Sequence, residues 1–551
     1  MRTHWSNYPA AAAFFDKLLT SKGKLRAAAL PTTRPSTPAC RQSAARPFCA
    51  CLMRTTTLVL SLVAVLAGTA RAGATDNQWC RYTTEHAEFL TDLPTRRVVE
   101  LAQRMEVFRQ SVQPFVHGDH QVSEEARIEV VAFRSAKDFQ EALQATHFTG
   151  FMRSSLRQSQ LLVSPGPMNQ WLTRNTLHEY THYLLRKRLD VRIPSWYDEG
   201  LASLLSTARI TRREVILGRA PMRALRRALQ GNHMDLGSVL DASVLFDLSL
   251  EQLNELYLTS WTLMHYILLG AHKTRELEVY LRSTHRGLPD ALQMSLPELK
   301  AQLQAYLKRR GLPVVKRAKP AVEVAVQGPK CLSDLERDHA LIMLAAHTDR
   351  DGALARLHEI IQRAPDFLPA RLSLASTYTQ TGEYDTALRY AQDALDMAPD
   401  SADAQIRLGL ALSQTCLFKR SQGCAMRWQR ATQLLEGGLR ADPTRIDAKL
   451  GLGVAYLHDN RPQDATAHLR SAYEHAPWVP HINLYLGECY RLLGDPRARI
   501  LLTNALNWTE APVLKRLATA ALRELNEAEE RRRLAEGRLS ETDGSLSETD
   551  E

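Results

Sequence analysis

The sequence predicts an α+β domain followed by an all-α solenoid of helical repeats. Three observations carry this prediction. Strand-like and helix-like periods alternate between residues 80 and 145, a histidine pair sits on a helical pattern soon after, and helix-closing prolines recur at a near-fixed spacing in the C-terminal half. At 551 residues, with 44% hydrophobic and 24% charged residues, the chain can bury more than one core.

The first 72 residues read as processing sequence. From Met53, "MRTTTLVLSLVAVLAGTARAGA" offers one basic residue, Arg54, ahead of a short apolar stretch from Leu58 to Ala67, and then a small-x-small site at Ala70-Arg71-Ala72. This is the pattern of a secretory signal peptide over 53–72, and it predicts export, with a Gram-negative periplasm as the expected compartment because no cysteine stands at the cleavage site. Residues 1–52, rich in Ala, Arg, Ser and Pro, are read as lying upstream of the true start at Met53. The same stretch explains the formal charge of +10: residues 1–72 hold ten of the 70 basic residues but one of the 60 acidic ones. The remainder is nearly neutral, so no nucleic-acid partner is expected. No later stretch approaches the roughly 18 apolar residues of a membrane span.

Next, "CRYTTEHAEFLTDLP" (80–94) alternates like a strand, "RRVVELAQRMEVFRQSVQPFV" (96–116) has a helical period, and "ARIEVVAF" (126–133) resembles a buried strand. "SAKDFQEALQA" (135–145) reads as a helix capped by Ser135. From Leu201 to about Arg310 the pattern is mostly helical and densest at "LYLTSWTLMHYILLG" (256–270). Seven arginines between Arg209 and Arg227 read as a solvated helix face. The segment "KRAKPAVEVAVQGPK" (316–330) has Pro and no helical period, and is expected to be a linker.

Beyond it the chain repeats. Helix-closing prolines at Pro365, Pro399, Pro443 and Pro477 are spaced 34, 44 and 34 residues apart. Within one unit Leu374, Ala375, Tyr378, Gly382, Ala387, Ala391 and Ala394 take positions matched in another by Leu452, Gly453, Tyr456, Ala465 and Ala472; a partial unit carries Leu486, Gly487, Tyr490 and Gly494. These residues resemble the tetratricopeptide family over 331–510. The resemblance implies a concave surface for a protein partner. In the longer spacing the ten extra residues are expected between the two helices of one unit, where Cys416 and Cys424 could form a disulfide across the loop. Otherwise the sparse cysteines outline no disulfide framework. Residues 511–537 read as a capping helix and the acidic 538–551 as a disordered tail.

The chemistry concentrates in "NTLHEYTHYLL" (175–185). On a helix His178 and His182 lie one turn apart on one face, so both imidazoles can reach a single ion, while Glu179 points aside, near enough to hold a water bound to that ion. A zinc ion needs a third protein ligand and an open position. Glu199, in "PSWYDEGLA", fits, since a carboxylate among Trp196, Tyr197, Leu201 and Ala202 needs a partner once buried. Asp198 reads as part of a capping box with Ser195, and Gly200 as a point of close backbone approach.

HEYTH followed by WYDEGLA resembles the gluzincin metallopeptidases, most closely the bacterial peptidase MA-like family, and the resemblance extends over 80–270. It implies a zincin-like metallopeptidase domain over 73–315, one Zn2+ per chain held by His178, His182 and Glu199, and Glu179 as catalytic base. Sixteen residues separate His182 from Glu199, slightly fewer than in the best-known gluzincins, so the connection must be short. A donor for the reaction's oxyanion is expected; Tyr257 and His265 are the candidates, although each also reads as core. The implied function is an exported zinc peptidase acting on a peptide or protein. Two alternatives stand beside it: a repeat scaffold with a weak or inactive lobe, and a zinc hydrolase of non-peptide amides.

Overall fold

A computed structural model describes residues 78–546, apart from 118–126, 144–149, 155–158, 166–171, 190, 221–234, 241–248, 284–286, 310, 420–422 and 510. Residues 1–52, the stretch 53–72 read as a signal peptide, and residues 547–551 of the acidic tail lie outside the described residues.

The N-terminal lobe is built on a mixed sheet of six strands: β1 (Cys80–Thr83), β2 (Ala87–Thr91), β3 (Ile128–Ala132), β4 (Gly150–Ser154), β5 (Ser159–Val163) and β9 (Gln327–Cys331), in the order β4-β5-β3-β2-β1-β9. The β2–β3 and β3–β5 pairs are parallel and the others antiparallel. The parallel centre explains its sequence: β3 is buried at all five positions, so it reads as a continuous apolar run broken by Glu129. Glu129 is paired with Arg81, Nη1 to Oε1 at 3.1 Å. Helices α1 (Thr95–Val116) and α2 (Ala136–Leu143) connect these strands, and the Ser135 hydroxyl caps α2 by accepting from the Asp138 N–H as expected. The single strand read over 80–94 is a hairpin, broken where Thr84 bonds Ala87 to form its turn.

Two readings are corrected in this lobe. The 316–330 segment is not a linker: β8 (Val315–Ala318) pairs with β7 (Glu214–Leu217), which pairs with β6 (Arg209–Ile210), and β9 closes the edge of the main sheet. Val322, Val324 and Val326 rest against the core. A disulfide between Cys80 and Cys331 ties β1 to β9, a pairing that cysteine spacing gave no reason to expect. The arginine run is likewise not a helix face where it is described, because Arg209–Ile210 and Glu214–Leu217 form a hairpin; residues 221–227 lie outside the described residues.

On one face of the sheet lie α3 (Arg174–Arg186), α4 (Ser195–Leu205), α5 (Leu236–Leu240) and α6 (Leu250–His265), the last continuing as a π-helix over Tyr266–Gly270. Next come α7 (Thr274–Arg282), α8 (Leu288–Leu292) and α9 (Leu296–Leu307). Gly200 is required by packing: a Cβ there would lie 2.6 Å from the Ser260 carbonyl oxygen, so its absence lets α4 and α6 cross closely.

The repeats follow as antiparallel helix pairs: α10 (Asp334–Ala345) and α11 (Arg350–Arg363), α12 (Leu368–Thr381) and α13 (Tyr384–Met397), α14 (Ala402–Lys419) and α15 (Cys424–Ala441), α16 (Ile446–His458) and α17 (Pro462–His475), α18 (Pro480–Leu493) and α19 (Ala498–Trp508), then α20 (Pro512–Leu546). Small residues sit where neighbours touch; Ala387, Ala391 and Ala394 are fully buried on α13. The ten extra residues of the long unit go largely into longer helices, 18 residues each in α14 and α15 against 14 each in α12 and α13. Cys416 and Cys424 are not joined: both remain thiols, and the Cys416 sulfur is directed at the Cys424 carbonyl oxygen, 3.8 Å away. Helix α20 runs through much of the tail that its acidic composition led us to read as disordered.

Both ends of the repeat array touch the lobe. Leu344 of α10 joins Trp79, Phe133, Phe139 and Phe151 in a cluster on the second sheet face. At the far end Trp478, Leu501, Leu502 and Trp508 belong to the same continuous core as Tyr180, Tyr183 and Trp196. Among the described residues no helix is long and apolar enough to cross a membrane.

Candidate metal centre

Helix α3 starts where Thr173 accepts a hydrogen bond from the Thr176 N–H at 3.2 Å, and it buries Leu177, Tyr180, Leu184 and Leu185. This orientation carries His178 and His182 toward α4, whose Glu199 is only 4% exposed. The three donor atoms form a tight triangle. His178 Nε2 lies 3.2 Å from His182 Nε2 and 3.2 Å from Glu199 Oε2, and His182 Nε2 lies 3.6 Å from that same oxygen. A tetrahedral zinc with bonds of about 2.0–2.2 Å requires ligand atoms about 3.3–3.6 Å apart, so the three atoms fit one ion and leave a fourth position free. Among the described residues this is the one group of three or more His, Cys, Asp or Glu side chains so convergent.

The electrostatics of the metal-free triangle follow from burial and from its neighbours. Burial opposes charge on His182, but the Asp198 and Glu199 carboxylates outweigh it and push the imidazole up to about 10. Burial raises the Glu199 carboxyl, yet His182 and His178 together hold it well below the carboxylate range. Glu179, next to His178, is raised by burial, which the two histidines only partly offset.

Asp198 is reassigned. Helix α4 begins at Ser195 as expected, but Pro194 occupies its cap position and no side chain caps it. Instead Asp198 is buried and accepts from His182 Nδ1 at 2.5 Å through one oxygen, and from Arg186 Nε at 2.9 Å and Nη2 through the other. The Nδ1–H bond fixes the ring so that Nε2 faces the site, the arrangement that orients metal-bound histidines generally. The sequence places Arg186 one turn beyond His182 on the same face, but it does not reveal that this cation is buried, which is what calls for a carboxylate.

The two oxyanion candidates separate. Tyr257 of α6 meets His178 edge to face, ring centroids 6.3 Å apart. Burial first, then the Glu199, Glu179 and Asp198 carboxylates, hold its phenol well above its ordinary value, so it stays protonated and able to donate. His265 is core: its ring nitrogens lie 2.8 Å from Tyr306 Oη and 2.9 Å from the Gly218 carbonyl oxygen, away from the triangle.

Two family models described as tetratricopeptide repeat match the chain, at residues 344–405 and 425–480. A relative, "Protein CTR9 homolog" of Arabidopsis thaliana, is 27% identical over 156 residues, 28% of this chain; the match spans only 14% of that relative's length. Among solved structures, the thermophilic tetratricopeptide-repeat protein TTC0263 of Thermus thermophilus aligns at 21% identity and TM-score 0.30, covering 34% of this chain and 98% of that one. MamA aligns at 19% identity and TM-score 0.24, covering 32% and 94%. The matched helix pairs, with their recurring small residues and closing prolines, are tetratricopeptide repeats.

Proposed function

We propose that this chain is a zinc-dependent peptidase whose repeats bind its protein substrate or a partner protein. The observation that carries this reading is the triangle of His178, His182 and Glu199, with the carboxylate of Glu179 at its edge and Tyr257 facing it. Bound by the triangle, zinc would lower the pKa of a water and polarise a peptide carbonyl. Glu179 takes the proton as the water oxygen bonds to the carbonyl carbon, then delivers it to the amine nitrogen as the C–N bond breaks. Tyr257 donates its phenolic proton in a hydrogen bond to the developing oxyanion. Asp198 keeps His182 in the tautomer that presents Nε2.

The disulfide between Cys80 and Cys331 supports export to an oxidising compartment, in agreement with the signal peptide read from Met53. A second reading is favoured by the family models, both of which lie within the repeats: a scaffold protein with a silent lobe. One experiment separates the two. The peptidase reading expects about one zinc per chain and chelator-sensitive release of new peptide termini from an unfolded protein. Zinc retained without hydrolysis would favour the scaffold, and no zinc in folded chain would sink the peptidase.

The pH dependence of zinc binding has a definite sign. Zinc takes the neutral imidazole, and metal-free His182 carries its proton up to about 10, so loading near neutrality must expel that proton. Zinc affinity is therefore expected to climb as pH rises through neutrality, measured by competition with a chromophoric chelator. A flat profile would mean that His182 is already uncharged.

A further inference from the structure

The connection between the ligand-bearing helices α3 and α4 is short and deeply buried; Val191 is 1% exposed and Ile193 is fully buried. Its backbone groups must find partners, because a buried unpaired N–H or C=O is costly. Arg192 is served by the lobe itself, its N–H donating to the Leu281 carbonyl oxygen at 3.2 Å. The residues on either side are served from more than 300 positions away. Asn504, on α19 of the last repeat and 1% exposed, accepts from the Ile193 N–H through Oδ1 at 3.0 Å and donates from Nδ2 to the Val191 carbonyl oxygen at 2.8 Å.

Two aromatic residues of the same repeat end reach α3 beside the ligand His182. Trp478 lies 5.7 Å, centroid to centroid, from Tyr183. Trp508 lies under the guanidinium of Arg186, 5.5 Å away, the same arginine that holds Asp198. The repeat end therefore touches the helix that bears the histidines, the connection that leads to Glu199, and the arginine behind the orienting carboxylate.

We propose that the last repeat forms part of the frame of the metal centre, with Asn504 as a positioning residue that sets the separation of α3 and α4 and hence the reach of Glu199 to the two histidines. This rests on the metal-centre reading above. It makes the repeats more than a docking module: an event that shifts α19 shifts the metal site, and by reciprocity zinc loading must stabilise α19.

The test uses the full chain and zinc or cobalt(II) alone as probe. Asn504→Leu keeps the branched shape and removes both hydrogen bonds. Leu374→Ala is the control: Leu374 is fully buried in α12, in a cluster with Leu357 and Ile360 that contains no residue of the lobe. Asn504→Leu is expected to weaken zinc binding by about ten-fold or more, the range seen when outer partners of ligands are lost, and to change the visible spectrum of bound cobalt. Leu374→Ala is expected to lower the melting temperature with zinc affinity and cobalt spectrum unchanged. Should Asn504→Leu not fold, hydrogen exchange on the unaltered chain decides: zinc must slow exchange in 498–508 and leave 350–397 as it was. A zinc-binding parent with an Asn504→Leu chain of equal affinity and equal spectrum, or with no zinc-dependent protection of 498–508, overturns this inference alone. A parent that binds no zinc overturns the metal-centre reading and this inference with it.

Discussion

Glu179→Gln is expected to lower peptide hydrolysis by about 10²–10⁴-fold, the range associated with losing a general base, while the chain keeps its zinc. The side chain is next to a ligand in sequence yet is not one of the three convergent donors, so an amide of the same shape leaves the triangle intact. What glutamine cannot do is accept the proton of the attacking water and return it to the leaving amine. The partial burial that raises the Glu179 carboxyl also makes it a stronger base than a solvated glutamate, which suits that task. Turnover of an unfolded protein substrate and zinc content, measured on the same preparation, check both halves. Full activity would remove Glu179 from the mechanism, and loss of zinc would make it a ligand.

Asp198→Ala has the largest expected structural effect. It deletes the carboxylate facing both His182 and the buried guanidinium of Arg186, and breaking a buried charge pair from one side costs roughly 3–5 kcal/mol. The His182 ring also loses the bond that fixes its tautomer, for which a further 10- to 100-fold loss of zinc affinity is expected, roughly. Had Asp198 been the helix cap that its position near Ser195 implied, the loss would be about 1 kcal/mol with zinc binding untouched. Denaturant unfolding of the metal-free chain and zinc competition together separate the two roles.

The contrast shows which parts of the molecule a sequence reveals. Periodic features were legible: the helix of HEYTH, the start of α4 at Ser195, and the repeats, because each is written in local spacing. The convergence of His178, His182 and Glu199 could be read because metal-ligand chemistry restricts residue type and spacing, and a buried Glu199 among apolar neighbours demands a partner. Asp198 was misread because a carboxylate near a helix start satisfies a local rule as well as a distant one, and only the burial of Arg186 decides between them. Cys80 with Cys331, Asn504 with Val191 and Ile193, and β9 at the sheet edge join residues far apart in the chain. Nothing in local composition encodes such pairings. The 316–330 segment failed for a related reason: its strands are short and partly exposed, and they exist only because β1 and β7 offer edges for them.

The bond between Cys80 and Cys331 also decides what a backbone break would do. The three convergent side chains lie between these two cysteines, so the lobe that carries them is a closed covalent ring to which the repeats are joined at one point of the backbone. A single nick inside the ring leaves one continuous molecule until the disulfide is reduced. A nick beyond Cys331 instead cuts the covalent link to everything that follows it, which then stays on the ring only through the packing of its two ends and the hydrogen bonds of Asn504.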